Sequence, residues 1–146
     1  MKNNVLIQLA LVGSLAVGLQ AEYIRDDNKK IVLDSASGLI WQDDNEAQTI
    51  TKTWTEAIAY CEAKELGGYT DWRLPNQNEL RSIIDKSKTY PSLSATFVNF
   101  ASSFYWSSST HAGNSGSAWF VYFDSGVDGA DYKTYSYYVR CVRAGQ

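Results

Sequence analysis

The feature that most constrains the fold of this chain is its cysteine content, a single pair formed by Cys61 and Cys141. Both follow an apolar leader, Met1–Ala21, which has one lysine near its start and a small residue before Glu22. That pattern is typical of a secretory signal peptide. In an oxidising compartment a lone pair of cysteines is most simply one disulfide bond, whereas a metal or redox pair would favour C-x-x-C spacing. The sequence therefore predicts one disulfide, which closes a loop of about 80 residues.

The leader also predicts where the protein is found. We expect cleavage after Ala21, one domain over residues 22–146, and a secreted, periplasmic or cell-surface location without membrane insertion of the mature chain. A leader that is retained as an anchor, or buried as a core helix, is the alternative. The formal net charge of −3 argues against the basic stripe that binds phosphate backbones, so we expect no nucleic-acid partner.

Short apolar runs separated by turn residues predict the strands. Residues 31–33 and 39–41 flank a glycine-containing turn and predict a β-hairpin, which a polar loop over 43–52 follows. We predict further strands over 104–107, 118–123 and 137–143, joined by loops over 108–117 and 124–134.

Two capping boxes predict the starts of two helices. Thr53 with Glu56, and Asn76 with Glu79, each pair an N-cap oxygen with a carboxylate three residues later. The glycines at 67–68 predict the end of the first helix. Strands, then two helices, then strands indicate an α+β domain rather than an alternating parallel sheet.

Side chains alternate along the last two predicted strands. The odd-numbered residues of 137–141 share one face and the even-numbered residues of 138–142 share the other. In the strand before it, Trp119, Val121 and Phe123 point one way, and Phe120 and Tyr122 the other. One of these faces is expected to be core.

Six short motifs lie between residues 31 and 143. They are S-G-L-I-W-Q-D at 37–43, W-T-E-A-I-A-Y-C at 54–61, L-G-G-Y-T-D-W-R-L-P at 66–75, N-E-L at 78–80, Y-W-S-S-S at 105–109 and Y-V-R-C-V-R at 138–143. Together they resemble the Lcl C-terminal-like domain family, a bacterial extracellular family of largely unknown function that is named for the C-terminal domain of a collagen-like adhesin. The third and last motifs are the most specific.

The resemblance implies a C-type-lectin-like fold, in which the chain ends meet in a small sheet beside two helices and a loop-rich face takes ligands. A bridge from the first helix to the last strand is usual there, and the two cysteines would match it. The namesake adhesin domain is similar to a glycan-binding module, and other members of the fold bind proteins. The Glu-Pro-Asn, Gln-Pro-Asp and Trp-Asn-Asp triplets of calcium-dependent lectins are missing from this sequence. The resemblance therefore implies no calcium-bridged sugar site of that kind.

The aromatic last third supplies the candidate ligand-binding residues. We expect segments 108–117 and 124–134, with the strand between them, to form the ligand face. Tyrosine and tryptophan offer rigid rings with a polar edge, which suit both sugars and proteins. The candidates are Asn114, Trp119, Tyr122, Asp124, Asp128, Asp131, Tyr132 and Tyr135.

Metal binding and catalysis are each weighed against structural explanations. The oxygen ligands of Asp124, Asp128 and Asp131, in a segment with glycines, suit Ca²⁺, although aspartate and glycine are also common in turns. His111 is the single histidine and has no serine-nucleophile motif near it, so we expect no enzyme and no catalytic residue. The sequence around Arg73 is expected to be structural, with Trp72 packed and Arg73 paired to a carboxylate or to carbonyl groups.

These features predict an exported module that binds an extracellular polysaccharide or another surface polymer and performs no covalent chemistry. The alternative is a protein-interaction or structural surface module, and a lower-ranked one is an enzyme on the same fold. The expected partner is accordingly a glycan or a protein outside the cell.

Overall fold

The computed structural model describes residues 22–145, so the predicted signal segment lies outside the described chain. The described part is an α+β domain with two mainly antiparallel sheets. Its elements are β1 (Tyr23–Asp26), β2 (Ile31–Asp34), β3 (Leu39–Gln42), α1 (Glu46–Thr49), β4 (Thr51–Lys52), α2 (Trp54–Glu62), α3 (Gln77–Ser82), β5 (Phe104–His111), β6 (Asn114–Tyr122), β7 (Asp128–Tyr132), β8 (Tyr137–Tyr138) and β9 (Val142–Ala144).

One sheet contains both the first and the last strand of the described chain, as its two edges. Its order is β1-β2-β3-β9, and all its pairs are antiparallel. The predicted hairpin is confirmed as β2 and β3, with Gly38 at φ 74° in the turn. Asp34 stabilises that turn because its carboxylate accepts from the Ala36 amide at 3.0 Å and from the Ser37 hydroxyl at 2.6 Å.

The second sheet carries the aromatic last third of the chain. Its order is β4-β8-β5-β6-β7, so β6 is flanked by a strand on each side and β7 is an edge. The pairs are antiparallel except for the contact of β5 with β8, where Tyr105 lies opposite Tyr138 in parallel register.

Both helices begin where the capping boxes predict. The Thr53 amide donates to Glu56 at 3.0 Å, and the Asn76 amide donates to Glu79 at 2.9 Å. The predicted end of the first helix is wrong, because α2 ends at Glu62. The glycines at 67 and 68 have φ values of 63° and 83° and instead form a separate turn.

Three segments predicted as loops contain regular structure. Residues 43–52 hold α1 and β4. Segment 108–117 holds the ends of β5 and β6, which turn between His111 and Asn114. Segment 124–134 holds β7, which pairs along β6. The loop predictions were wrong because this Asp, Gly and Ser content is typical of turns, whereas pairing with a hydrophobic strand overrides that preference.

The last predicted strand is split between the two sheets. Its start is β8 in the five-stranded sheet, and its end is β9 in the four-stranded sheet. Between them the Cys141 amide donates to the side-chain oxygen of Gln42 at 2.9 Å, and the Gln42 amide donates to the Cys141 carbonyl at 3.0 Å. The chain therefore stays hydrogen-bonded while it crosses from one sheet to the other.

Two core clusters lie on opposite faces of the strands, and each contains residues of both sheets. The predicted alternation over 137–142 is confirmed, because Val139 and Cys141 belong to the first cluster and Val142 to the second, with Tyr137 and Tyr138 packed against them respectively. The first cluster contains residues of α2, and the second contains Leu80 of α3.

The predicted disulfide is confirmed. Cys61 of α2 is bonded to Cys141, with 5.5 Å between their Cα atoms, and both residues are fully buried in the first core cluster. The bond fastens α2 to the segment that joins the two sheets. No helix within residues 22–145 has the length and apolar character needed to span a membrane.

Candidate functional site

The register of β6 sorts the side chains of the five-stranded sheet into two faces. Ala118 and Phe120 belong with the first core cluster, and strand alternation places Tyr122 on their side. We name this side the α2 face. Val121 belongs with the second cluster, and alternation places Trp119 on its side, which we name the α3 face.

Four aromatic rings lie together on the α2 face. The ring centroid of Phe104 is 4.7 Å from that of Phe120 and 4.7 Å from that of Tyr122. It is 5.2 Å from the centroid of Tyr137, which in turn is 5.5 Å from that of Phe120. All four side chains are half-buried, and Phe104 and Tyr122 lie outside both core clusters of residues 22–145. We name these four residues the aromatic platform.

A glycine makes room for one ring of the platform. Gly129 of β7 lies opposite Phe120 of β6, and a Cβ atom at this glycine would be 2.8 Å from the Phe120 ring. Any other residue at this position would push the ring, because real Cβ atoms do not approach so closely. The Phe120 ring can therefore lie over edge strand β7 because Gly129 has no side chain.

Two carboxylates flank the platform. Asp131 accepts a hydrogen bond of 2.6 Å from the Tyr137 hydroxyl, and burial together with this carboxylate raises the pKa of Tyr137. At the other end the Asp124 carboxylate lies beside the Tyr122 hydroxyl. The Asp124 carboxylate, and to a smaller extent burial, raises the pKa of Tyr122. Tyr122 and Tyr137 thus each have a carboxylate group beside the hydroxyl group of the ring.

Tyr90 extends this region and was missed by sequence reasoning. Its side chain is 74% exposed, and its amide donates to the carbonyl of Asp124 at 2.9 Å. The neighbouring Ser92 amide donates to the Phe123 carbonyl at 2.9 Å, which fastens the segment to the end of β6. Tyr90 has a φ of 57°, an uncommon conformation for a bulky residue. The sequence around Tyr90, a tyrosine followed by a proline, does not indicate that this residue lies beside Asp124.

Comparison with protein families places nearly all of the described chain in one of them. Residues 30–143 match the Lcl C-terminal domain. The chain belongs to this family. A comparison with curated proteins finds no match. The matched range runs from β2 into β9 and includes the disulfide and the whole aromatic platform.

Within this Lcl C-terminal domain, three of the predicted site residues come together. Tyr122, Asp124 and Asp131 all lie at the platform. The near neighbour of the Tyr122 ring is Phe104. Phe104 and Tyr137 were not among the candidate residues, although their alternation with buried residues of the same strands was a usable signal.

Other predicted residues lie on the α3 face. The Trp119 ring packs 5.1 Å from that of His111. Asp128 accepts from the Gln77 side chain at 2.6 Å and lies 3.6 Å from Arg81, both in α3. Alternation with Asp131 places Tyr132 on this side as well.

Two predicted residues take part in local turns. The side-chain oxygen of Asn114 accepts from the Gly116 amide at 2.9 Å, at the turn between β5 and β6. Tyr135 follows β7, where its ring meets that of Tyr132 edge-on, with 5.8 Å between centroids. Neither residue contacts the four rings of the aromatic platform by any ring pair within the described chain.

The three aspartates considered for Ca²⁺ do not converge. Asp128 and Asp131 are three residues apart in β7, so they point to opposite faces of the sheet. Asp128 is bonded to α3, and Asp131 to Tyr137. Over the part of the chain that the structure describes, no group of three or more His, Cys, Asp or Glu residues has a metal-binding arrangement. The three residues form a cluster only if this segment is a flexible loop, whereas Asp128 and Asp131 lie in a strand.

The segment around Arg73 is structural, as predicted. Trp72 is buried with 3% exposure, and Arg73 forms a two-pronged pair with Glu79 at 2.7 and 2.6 Å. Asp71 pairs with Arg143 at 2.6 Å. These contacts join the loop before α3 to the last strand.

Proposed function

We propose that this Lcl C-terminal domain is an exported, C-type-lectin-like module that binds polysaccharide on the aromatic platform without covalent chemistry. The observation that carries the proposal is the platform itself, four adjoining half-buried rings on the α2 face. Large aromatic side chains usually lie in the core or at a binding surface.

The chemistry of the platform suits a sugar. The rings of Phe104 and Phe120 offer flat apolar area to the C–H groups of a sugar ring, and burial of that area is favourable. The carboxylates of Asp124 and Asp131 accept hydrogen bonds from hydroxyl groups around the sugar. Apolar ring faces with hydrogen-bond acceptors at their margins thus match both kinds of sugar surface.

The fold assignment to the C-type-lectin-like class and the extracellular location belong to the same proposal. The first and last strands of the described chain belong to one sheet, and a disulfide fastens a helix to the chain near its end. Disulfide bonds persist in oxidising compartments, which supports export.

A protein-interaction module is the second candidate, and edge strand β7 favours it. Tyr132 and Tyr135 near this edge are 55% and 50% exposed. However, the Tyr132 amide donates to its neighbour Asp131 at 2.8 Å, and its carbonyl accepts from Tyr135 at 2.9 Å. These bonds occupy part of the edge, so pairing with a further strand is restricted.

The test is glycan-array binding of the intact, disulfide-bonded protein, followed by titration of one positive oligosaccharide against two variants. Tyr122→Ala removes a platform ring and is expected to weaken binding at least tenfold, as is common for a central aromatic contact. Tyr132→Ala is the matched control, because this exposed tyrosine lies on the α3 face. It is expected to bind within twofold of the wild type.

Two outcomes would contradict the proposal. The first is the absence of binding to any glycan together with tight binding to a protein, which would favour the second candidate. The second is an equal or larger loss for Tyr132→Ala than for Tyr122→Ala, which would move the site to the α3 face. Melting temperatures of both variants show whether each remains folded.

A further inference from the structure

We infer that Tyr90 is a ligand-contact residue of the proposed site, and that its exposed ring makes the site bind along a polysaccharide chain rather than hold a single terminal sugar. The inference rests on the proposed function and adds the length of chain that the site recognises. Its basis is an aromatic side chain that projects into solvent from a backbone in a costly conformation, beside the aromatic platform.

Tyr90 lies on a short loop that is closed at its base. The backbones of Ile84 and Leu93 form an isolated β-bridge there. The next pair inward is bonded as well, because the Asp85 amide donates to the Ser92 carbonyl at 3.1 Å. The loop that carries Tyr90 therefore has a defined backbone rather than a free one.

The same loop is fastened to the chain that follows β6. The Tyr90 amide donates to the Asp124 carbonyl at 2.9 Å, and the buried Ser92 hydroxyl donates to the same carbonyl at 3.2 Å. Gly126, between β6 and β7, has a φ of 78°, and a Cβ atom there would lie 2.7 Å from the Ile84 side chain. These contacts fix the position of the Tyr90 backbone beside Asp124.

The conformation of Tyr90 carries a cost. Its φ of 57° lies in the left-handed region, which disfavours side chains other than that of asparagine or aspartate. Within residues 22–145, Lys30 is the one other non-glycine residue with a positive φ, and it lies in the turn between β1 and β2, where hairpin connections often need this conformation. A strained residue persists only where surrounding contacts impose it, and such residues cluster at functional sites.

No ring packing within the described chain offsets this cost. The Tyr90 side chain is 74% exposed, the largest value among the large apolar and aromatic side chains of residues 22–145. None of the ring pairs in that range includes it. Contact with a ligand would bury the ring and gain the free energy that internal packing does not supply. A tyrosine side chain loses little conformational entropy in such a contact.

Tyr90 lies at the Asp124 end of the aromatic platform. The Asp124 carboxylate is the main cause that raises the pKa of Tyr122, burial is a smaller one, and the Tyr90 hydroxyl is the smallest, so the two hydroxyl groups are near each other. Because Tyr90 contacts none of the four platform rings, a ligand in contact with both Phe104 and Tyr90 extends past a single sugar ring. The site therefore recognises a length of chain.

The experiment titrates the intact protein with cellohexaose, maltohexaose and the hexamer of N-acetylglucosamine, and with the disaccharide of each. All are neutral, so differences in charge do not enter the comparison. The wild type is expected to bind at least one hexasaccharide about tenfold or more tightly than its disaccharide, because the longer chain adds the contact with Tyr90 and further buried area.

Variants of Tyr90 separate a ligand contact from a structural role. Tyr90→Asn removes the ring and suits the left-handed backbone. It is expected to weaken hexasaccharide binding at least about fivefold and disaccharide binding less than about twofold. Its melting temperature is expected to rise by about 2–4 °C, because the strain is relieved. Tyr90→Phe keeps the ring and is expected to resemble the wild type in both measurements. A gain in stability together with a loss of binding is typical of a functional residue.

Lys30→Asn is the matched control. It places the same residue at the other strained position, in a turn of the four-stranded sheet. The melting temperature of this variant is expected to rise by a similar amount, whereas binding of every oligosaccharide is expected to stay unchanged. Tyr90→Gly also permits the left-handed conformation and supplies a second variant without the ring if Tyr90→Asn folds poorly.

The outcomes distinguish this inference from the proposed function. Hexasaccharide binding by Tyr90→Asn within about twofold of the wild type, with binding still lost in Tyr122→Ala, would overturn the role of Tyr90 and leave the platform as the site. Equal binding of hexasaccharide and disaccharide by the wild type, or equal losses of both in Tyr90→Asn, would overturn the recognition of a chain.

Two further results would contradict the inference. A melting temperature of both ring-free variants below that of the wild type would assign Tyr90 to the stability of its loop. Binding of none of the three hexasaccharides would overturn the inference, and a negative glycan array in addition would overturn the proposed function with it.

Discussion

Asp43 shows how much of this fold depends on single polar side chains. It is fully buried and accepts from Arg140 at 2.9 Å, from Arg25, and from the backbone amides of Val98 and Asn99 at 3.0 and 3.2 Å. A buried charge is costly unless it is paired and hydrogen-bonded, and here both conditions are met. Asp43 therefore holds three distant parts of the chain to the end of β3.

The contrast with the capping boxes explains what could be predicted. Thr53 and Glu56 are three residues apart, so their hydrogen bond is visible in the sequence. Arg140 and Asp43 are 97 positions apart, and nothing local marks either one as a partner. Arg140 was assigned to the correct side of its strand, but its partner depends on the tertiary fold.

The Arg73–Glu79 pair gives a prediction about pH. The hydrogen-bonded guanidinium lowers the pKa of Glu79 from its usual 4.5, so the pair stabilises the fold above that value. That contribution is lost as the pH falls through the lowered pKa of the folded state. Glu79→Gln keeps a capping side chain. At pH 7 this substitution is expected to lower the free energy of unfolding by about 0.5 kcal/mol, a small effect because Arg73 is partly exposed. At low pH it is expected to have no effect.

Urea unfolding at pH 7, 5 and 3 measures this difference. Glu62→Gln is the control, because that exposed glutamate has no ion-pair partner among the described residues, and it is expected to change stability little at any of the three values. A Glu79→Gln effect as large at pH 3 as at pH 7 would show that the charge of Glu79 is not its cause.

Strand β7 is the element that sequence reasoning missed and on which the candidate site depends. Its residues, D-G-A-D-Y, have a low preference for strands, and β7 exists because β6 offers it a partner. Pairing then fixes which side chains face which way. It separates Asp128 from Asp131, and it places Gly129 under the ring of Phe120. A loop with the same composition would have neither property.

Gly129→Ala tests this arrangement. The added methyl would lie 2.8 Å from the Phe120 ring, so the ring or the edge strand must shift. We expect a loss of about 1–3 kcal/mol in the free energy of unfolding, as for other overpacking substitutions, and weaker binding of the glycan. Unfolding in urea and titration with the same oligosaccharide measure the two effects.

Gly116→Ala is the control for that substitution. This exposed glycine lies in β6 away from the platform, and its added Cβ would meet only the Asn114 side chain at 3.3 Å. It is expected to leave binding unchanged. Tighter glycan binding by Gly129→Ala, or no change in either stability or binding, would mean that the Phe120 ring does not need the space that Gly129 leaves.

The two sheets form one unit with α2 and α3, because each core cluster contains residues of both sheets and of one of these helices. The sequence predicted the α+β class, the helix starts, the first hairpin and the disulfide, all of which depend on local patterns or on a single pair. It could not predict that the last strand divides between the sheets. That division depends on Gln42, whose backbone and side chain both bond to Cys141.

The disulfide is expected to supply a large part of the stability of the whole domain. It joins residues 80 positions apart, and the chain-entropy estimate for a loop of that length is about 4–5 kcal/mol. Because domains of this size are stable by only about 5–15 kcal/mol, Cys61→Ala/Cys141→Ala is expected to unfold at a much lower urea concentration. Two platform rings, those of Phe120 and Tyr137, pack against the core cluster that contains the disulfide, so glycan binding by the folded double variant reports whether that packing is retained.

Equilibrium unfolding in urea of three samples measures this contribution: the wild type, the double variant, and the wild type after reduction and thiol blocking. If loop closure in the unfolded chain is the main source of stability, the two samples without the bond lose similar free energies. Blocking groups on the buried cysteines would add a packing cost to the third sample. A double variant within about 1 kcal/mol of the wild type would show instead that the contacts of α2, β3 and the crossing segment hold the domain together without the bond.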